Sequence, residues 1–139
     1  MLRISKMADY AIVVLADLAD APQDNVATSV AVAARTSIPE PTVAKVMKPM
    51  TKSGWLVAQR GARGGYKLAQ PLAGIAVSDV ITLFDGPLTL TNCGDDTDAH
   101  QCKVGMACRV RGRWAKVSQA LHDTLRQISV ADLIAEKRG

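Results

Sequence analysis

Lys52-Ser53-Gly54-Trp55-Leu56-Val57-Ala58-Gln59-Arg60-Gly61-Ala62-Arg63-Gly64-Gly65-Tyr66-Lys67-Leu68 is the stretch that decides the fold. Gly54 is a helix stop, Trp55 to Gln59 reads as a strand, and Tyr66 to Leu68 reads as a strand returning from it. The glycine-rich turn between them, Arg60 to Gly65, carries Arg60 and Arg63. A hairpin with basic residues at its tip has one common use when a helix pair comes before it. It is then a wing.

The preceding residues supply that pair. Thr28 to Ala34 reads as a short helix packed through Val30, Ala31 and Ala34, and Arg35-Thr36-Ser37 reads as a tight connection. Ile38-Pro39-Glu40-Pro41 starts the next helix, since proline is tolerated in a first turn. From Thr42 to Ser53, Val43, Val46, Met47 and Met50 follow the i, i+3, i+4, i+7 pattern of a buried face. Lys45, Lys48 and Lys52 fall on another face. Pro49 conflicts with this helix, because an interior proline removes a hydrogen bond, and a kink or an early end is expected there. Upstream, Ser5 is placed to cap a helix with Tyr10, Ala11, Val14, Leu15 and Leu18 at helical spacing, closed near Ala21-Pro22. Asp9 lies in its first turn, where a carboxylate complements the helix dipole.

Charge is distributed unevenly. Residues 1–70 carry nine Lys/Arg against five Asp/Glu, which is the whole net charge of +4, while residues 71–139 carry eight of each. No acidic residue occurs between Glu40 and Asp79, a span that holds Lys45, Lys48, Lys52, Arg60, Arg63 and Lys67. A solvated lysine face would look similar on its own. Placed on a second helix and its wing, the stripe suits duplex DNA: the helix enters the major groove, and wing arginines reach phosphates or the adjacent minor groove. Thr42, Lys45, Lys48, Lys52, Arg60 and Arg63 are the expected DNA contacts. Aromatic residues make up 4% of the chain, too few for the stacking surface of an RNA reader.

All three cysteines, Cys93, Cys102 and Cys108, fall in one Gly- and Asp-rich segment with the spacing C-x8-C-x5-C. An odd number of thiols argues against a closed disulfide framework, and no C-x-x-C pair marks a structural zinc or thioredoxin-like site. Thiolates also hold iron–sulfur clusters, whose irons ordinarily take four protein ligands, so one further ligand would be required. Which metal the thiols bind is left open by the spacing. From Arg109 a long helix is expected. Val110, Trp114, Val117, Leu121, Thr124/Leu125 and Ile128 form a seam that suits packing within the domain or a two-fold dimer. No apolar run is long enough to cross a bilayer, and Asp9, Asp17 and Asp20 interrupt any signal-peptide core, so a cytoplasmic protein without membrane contact is expected.

Leu2 to Ala11, Lys52 to Val57 and Arg60 to Tyr66 together resemble the Rrf2 family of bacterial winged-helix regulators, which contains IscR and NsrR. The resemblance extends through Ile75 to Ile81 and the cysteine segment to Ile128-Ser129-Val130-Ala131-Asp132-Leu133, and so covers nearly the whole chain. It implies a mainly α fold with a small β wing. The implied parts are a winged helix-turn-helix domain (1–70), a linker helix (71–90), a cluster-binding loop (91–108), and a dimerisation helix with its tail (109–139).

The resemblance also implies an iron–sulfur cluster, 2Fe-2S in preference to 4Fe-4S, on Cys93, Cys102 and Cys108, and a homodimer on a pseudo-palindromic operator. In one branch of the family the fourth ligand is a histidine three residues after the last cysteine, where this chain has Arg111. In another it is an aspartate of the first helix supplied by the partner subunit, and Asp9 matches that position. His100, inside the loop, is the weaker alternative. The ends of the chain look closest to repressors of SUF-type iron–sulfur assembly operons. A nitric-oxide- or redox-responsive repressor and a metal-free thiol switch are the alternatives. An enzyme is disfavoured, because neither a C-x-x-C pair nor a convincing base is present.

Overall fold

The computed structural model describes residues 3–22, 26–90, 108–110 and 112–135. They form helices α1 (Lys6–Asp20), α2 (Ser29–Thr36) and α3 (Glu40–Lys52), strands β1 (Leu56–Gln59) and β2 (Gly65–Leu68), and a 3-10 turn at Leu72–Gly74. Helices α4 (Val77–Asp85), α5 (Trp114–Arg126) and α6 (Val130–Ala135) follow. The fold is mainly helical with a two-stranded antiparallel wing, as the sequence predicts.

The first three helix starts have identifiable local causes. The Ser5 hydroxyl accepts from the Ala8 N–H at 3.2 Å and caps α1, and the Thr28 hydroxyl accepts from the Ala31 N–H at 3.1 Å and caps α2. Pro41 sits in the first turn of α3, where a missing N–H costs no intrahelical bond. Between α2 and α3 the chain reverses at Ser37, which adopts φ 63° and donates its N–H to the Ala33 carbonyl at 2.9 Å.

The core is built where these helices meet. Val14, Leu15, Val32, Val43, Val46, Met47, Met50 and Leu56 pack together out of solvent, with α1 against α2, α3 and α4. Leu72, Ile75, Val80 and Val130 belong to the same cluster, so the core continues beyond the wing. Helix α6 is drawn back to it. The Val77 N–H donates to the Ile128 carbonyl and the Val130 N–H to the Ile75 carbonyl, both at 2.9 Å.

Three expectations change. In α2 it is Val32 that is buried, while Val30 is 65% exposed and Ala34 is also exposed. In that rotation Val32 joins the core cluster and the Arg35 guanidinium meets Asp17 of α1. Pro49 does not end α3, which runs on to Lys52. The lost bond would have reached the carbonyl of Lys45, an exposed residue beside water. The long helix expected from Arg109 starts instead at Trp114, after Gly112 with φ 72°, and stops at Arg126. A reciprocal capping box then opens α6: the Asp132 N–H donates to the Ser129 hydroxyl at 3.1 Å, and the Ser129 N–H donates to the Asp132 carboxylate at 2.9 Å.

Candidate nucleic-acid interface and cysteine segment

Helix α3 has two faces of opposite character. Val43, Val46, Met47 and Met50 hold it in the core, and Lys45, Lys48 and Lys52 therefore emerge on the opposite side, all exposed. Thr42 is half-buried in the first turn, its N–H donating to the Pro39 carbonyl at 3.0 Å. Glu40, the nearest acidic residue, accepts from the Ser29 hydroxyl at 2.7 Å and is tied to α2. Among the described residues none forms an ion pair with the three lysines. The face is therefore an uncompensated positive strip about two turns long.

The wing adds Arg60 and Arg63, both exposed between β1 and β2. Leu56 pairs with Leu68 and Gln59 with Gly65 in antiparallel register. The tip closes through the Gly64 N–H, which donates to the Gly61 carbonyl at 2.9 Å, and a Cβ at Gly64 would collide with the Gln59 carbonyl. Five of the six expected DNA contacts are thus exposed, on the two elements that a winged helix presents to a duplex. The contribution of Ala27 was not legible in the sequence. It bridges Tyr66 of β2 and fixes the wing against the residue that caps α2. A lone alanine in a turn carries no signal of such a bridge.

Two of the expected cluster ligands are described. Asp9 is exposed in the first turn of α1, and its carboxylate makes no hydrogen bond or ion pair among the described residues. Cys108 is a free, half-buried thiol just ahead of the turn at Arg109-Val110. A free thiol and an unengaged carboxylate suit the donor set of an iron site. Cys93, His100 and Cys102 lie outside the described residues, as does Arg111. Among the described residues no three His, Cys, Asp or Glu side chains converge.

Helix α5 leaves an apolar strip uncovered. Trp114 and Val117 are 39% and 48% exposed, Val110 and Ile128 are exposed at either end, and Leu121 and Leu125 are half-buried between them. Its inward residue is Ser118, toward α4. No described helix is long and apolar enough to cross a membrane.

A family model described as Rrf2, an iron-dependent transcriptional regulator, matches residues 4–136. The product of ORF2 of Azotobacter vinelandii, assigned as an HTH-type transcriptional regulator, is 27% identical over 134 residues, spanning 96% of this chain and 80% of that protein. Among solved structures, CymR, the global cysteine regulator of B. subtilis, superposes with a TM-score of 0.72 at 22% identity over 98% of each chain, a likeness of fold. IscR of T. potens superposes with a TM-score of 0.69 at 25% identity, over 98% of this chain and 88% of that one.

Proposed function

Because this chain belongs to the Rrf2 family of transcriptional regulators, we propose that it is a homodimeric repressor of iron–sulfur assembly genes whose operator affinity is set by an iron–sulfur cluster. As a member of that family it is a DNA-binding regulator and not an enzyme.

One observation carries the DNA-binding surface: Lys45, Lys48 and Lys52 exposed on one face of α3, with Arg60 and Arg63 exposed on the wing beside it. Cationic side chains there neutralise phosphates and release counterions, and Thr42 lies where the first turn of a recognition helix meets base edges. The apolar strip of α5 supports a two-fold dimer, which would set two α3 helices on half-sites about one DNA turn apart.

For the cluster, Cys93, Cys102 and Cys108 are the proposed thiolate ligands. Asp9 of the opposite subunit is preferred to His100 as the fourth. When bound, the cluster supplies a centre that oxidation or iron loss can alter. The protein's part is to hold three thiols on one segment, and to place a weak oxygen ligand on the helix that packs against α2 and α3. A change in the hold on Asp9 would then bear on the elements that meet DNA. It regulates only if the two states differ in operator affinity.

The deciding experiment is purification without oxygen, followed by visible absorption and by iron and sulfide assays. A visible band with stoichiometric iron and sulfide, lost in Cys93→Ala, Cys102→Ala and Cys108→Ala, is expected. Asp9→Ala should leave a more labile centre than His100→Ala does. A colourless protein that resists reconstitution, with DNA affinity that responds to oxidant, would establish the second reading, a metal-free thiol switch. That reading draws on the fold shared with CymR, a cysteine regulator, and would use the thiol of Cys108.

A further inference from the structure

The N–H of Ser5 opens α1 and finds no acceptor in its own helix. In a capping box the residue three positions after the cap reaches back to that N–H, as Asp132 does for Ser129. In α1 that position is Ala8, which is fully buried and carries no acceptor. The acceptor comes instead from the far end of another helix, where the Asp85 carboxylate takes the Ser5 N–H at 3.1 Å. Ser5 passes the hold on. Its hydroxyl accepts from the Ala8 N–H at 3.2 Å, and its carbonyl accepts from the Asp9 N–H at 3.1 Å. We propose that Asp85 is a positioning residue for Asp9, fixing through Ser5 the turn that carries that carboxylate.

Its own helix does not explain where Asp85 stands. It ends α4, where the helix dipole is negative and a carboxylate is unfavourable, and no basic residue in that last turn offsets it. At the start of α1 the same carboxylate meets an unsatisfied N–H and the positive end of a dipole. Both sides of the contact are anchored. Val80 and Ile81 hold α4 in the interior, and Ala8 and Ala11 hold α1. The two helices therefore bring Asp85 and Ser5 together in a fixed relation.

Asp85 has this role only if Asp9 is the fourth ligand, the reading proposed above. A ligand serves well when residues outside the ligand set hold it near its productive orientation. Among the described residues no side chain bonds the Asp9 carboxylate, so its backbone is what can be fixed. Ser5 and Asp85 fix it. The chain leaves α4 at Gly86, directly after Asp85, and runs on to Cys93. The residue that steadies the carboxylate ligand thus stands at the root of the segment that bears the thiols.

The test compares cluster lifetimes in the parent, Asp9→Ala, Asp85→Ala, Asp85→Asn and the double variant Asp9→Ala/Asp85→Ala. Each full-length protein is reconstituted without oxygen, and loss of visible absorption is followed after a chelator is added. Asp85→Ala should shorten the half-life by about threefold or more, short of the roughly tenfold to hundredfold cost of removing a direct partner of a metal ligand. Asp85→Asn keeps an acceptor oxygen and should recover most of that loss. The double variant should decay no faster than Asp9→Ala, because Asp85 acts through Asp9. Asp85 is exposed, so its variants should fold. In the metal-free proteins, the Ser5 and Asp9 amides should exchange at least about threefold faster in Asp85→Ala than in the parent, with exchange in α3 unchanged. A parent that takes up no cluster would sink the functional reading, and this proposal with it, before any variant is compared. With a cluster in the parent, an unchanged lifetime in either single alanine variant, additive losses in the double variant, or unchanged amide exchange would each overturn the proposal alone.

Discussion

Ala27 and Tyr66 exchange two main-chain hydrogen bonds of 2.8 Å each, stitching the residue before the α2 cap to strand β2. The bridge makes a short third partner for the wing and joins it to the helix pair. A two-stranded hairpin alone is marginal in water. Here the wing is anchored from the side, so Arg60 and Arg63 keep a fixed relation to the lysines of α3.

Gly65 is the residue that permits this approach, since a Cβ there would lie 2.8 Å from the carbonyl carbon and oxygen of Ala27. Gly65→Ala should destabilise the protein by about 1–3 kcal/mol, as overpacking does. Urea unfolding would measure it. Operator affinity should fall even where the protein remains folded, because the wing must shift to relieve the clash.

Ser37 makes a second backbone prediction. Its φ of 63° lies in the left-handed region, where an L-residue carries strain of roughly 1–2 kcal/mol and a β-branched one more. Ser37→Val should lower stability by about that amount or more, whereas Ser37→Gly should leave it within about 1 kcal/mol of the parent. Denaturation midpoints of the two variants, compared side by side, would check the contrast. Equal midpoints would mean that the turn between α2 and α3 relaxes freely.

The contrast between these sites shows what the sequence could convey. Ser5, Thr28 and the apolar positions of α3 act locally, so spacing and side-chain type expose them. The wing glycines and the lysine face were legible for the same reason. The rotation of α2 was not, because Val30 and Val32 are chemically alike and the choice between them depends on how α2 meets α1 and α3. Gly112 was missed as a helix boundary because the apolar pattern from Val110 to Trp114 runs across it.

The Arg35–Asp17 pair allows a prediction about pH. Arg35 donates from Nη2 to Asp17 Oδ2 at 2.7 Å and from Nε to Asp17 Oδ1 at 2.9 Å, and this hydrogen bonding holds the guanidinium pKa above its ordinary value. For a group whose folded pKa is raised, the stabilisation is complete below the unfolded pKa and fades only as pH rises through the folded one. That window is strongly alkaline, so from neutral pH to pH of about 9 the contribution should be constant. The Arg35 side chain is 46% exposed, and Arg35→Ala should cost no more than about 1 kcal/mol, measured by thermal unfolding.

The basic surface predicts a salt dependence. The slope of log affinity against log salt should flatten by about 0.9 for each phosphate that the protein no longer neutralises. Lys45→Ala and Arg60→Ala should each have this effect, and the double variant should lose about twice as much, in fluorescence-anisotropy titrations on duplex DNA. A substitution at exposed Val30 should leave the slope unchanged, since it removes no charge. If Lys45→Ala and Arg60→Ala also left it unchanged, α3 and the wing would not be the surface that meets DNA.

The exposed strip of α5 makes the last prediction. Val117 is 48% exposed, so Val117→Glu should alter the fold of a single chain by no more than about 0.5 kcal/mol. In a two-fold dimer built on this strip the same substitution brings two carboxylates toward an apolar seam, and burying them without partners is costly. The dimer dissociation constant should rise by at least about a hundredfold, equivalent to roughly 2.8 kcal/mol. Sedimentation velocity across a concentration series would read it. Lys116→Glu, one residue away on a different face of α5, changes charge by more and should leave the dimer nearly intact. If both variants dissociated alike, net charge would be the cause, and if neither did, the subunits would meet on another surface. Dissociation in Val117→Glu alone would locate the two-fold axis along Trp114, Val117 and Leu121.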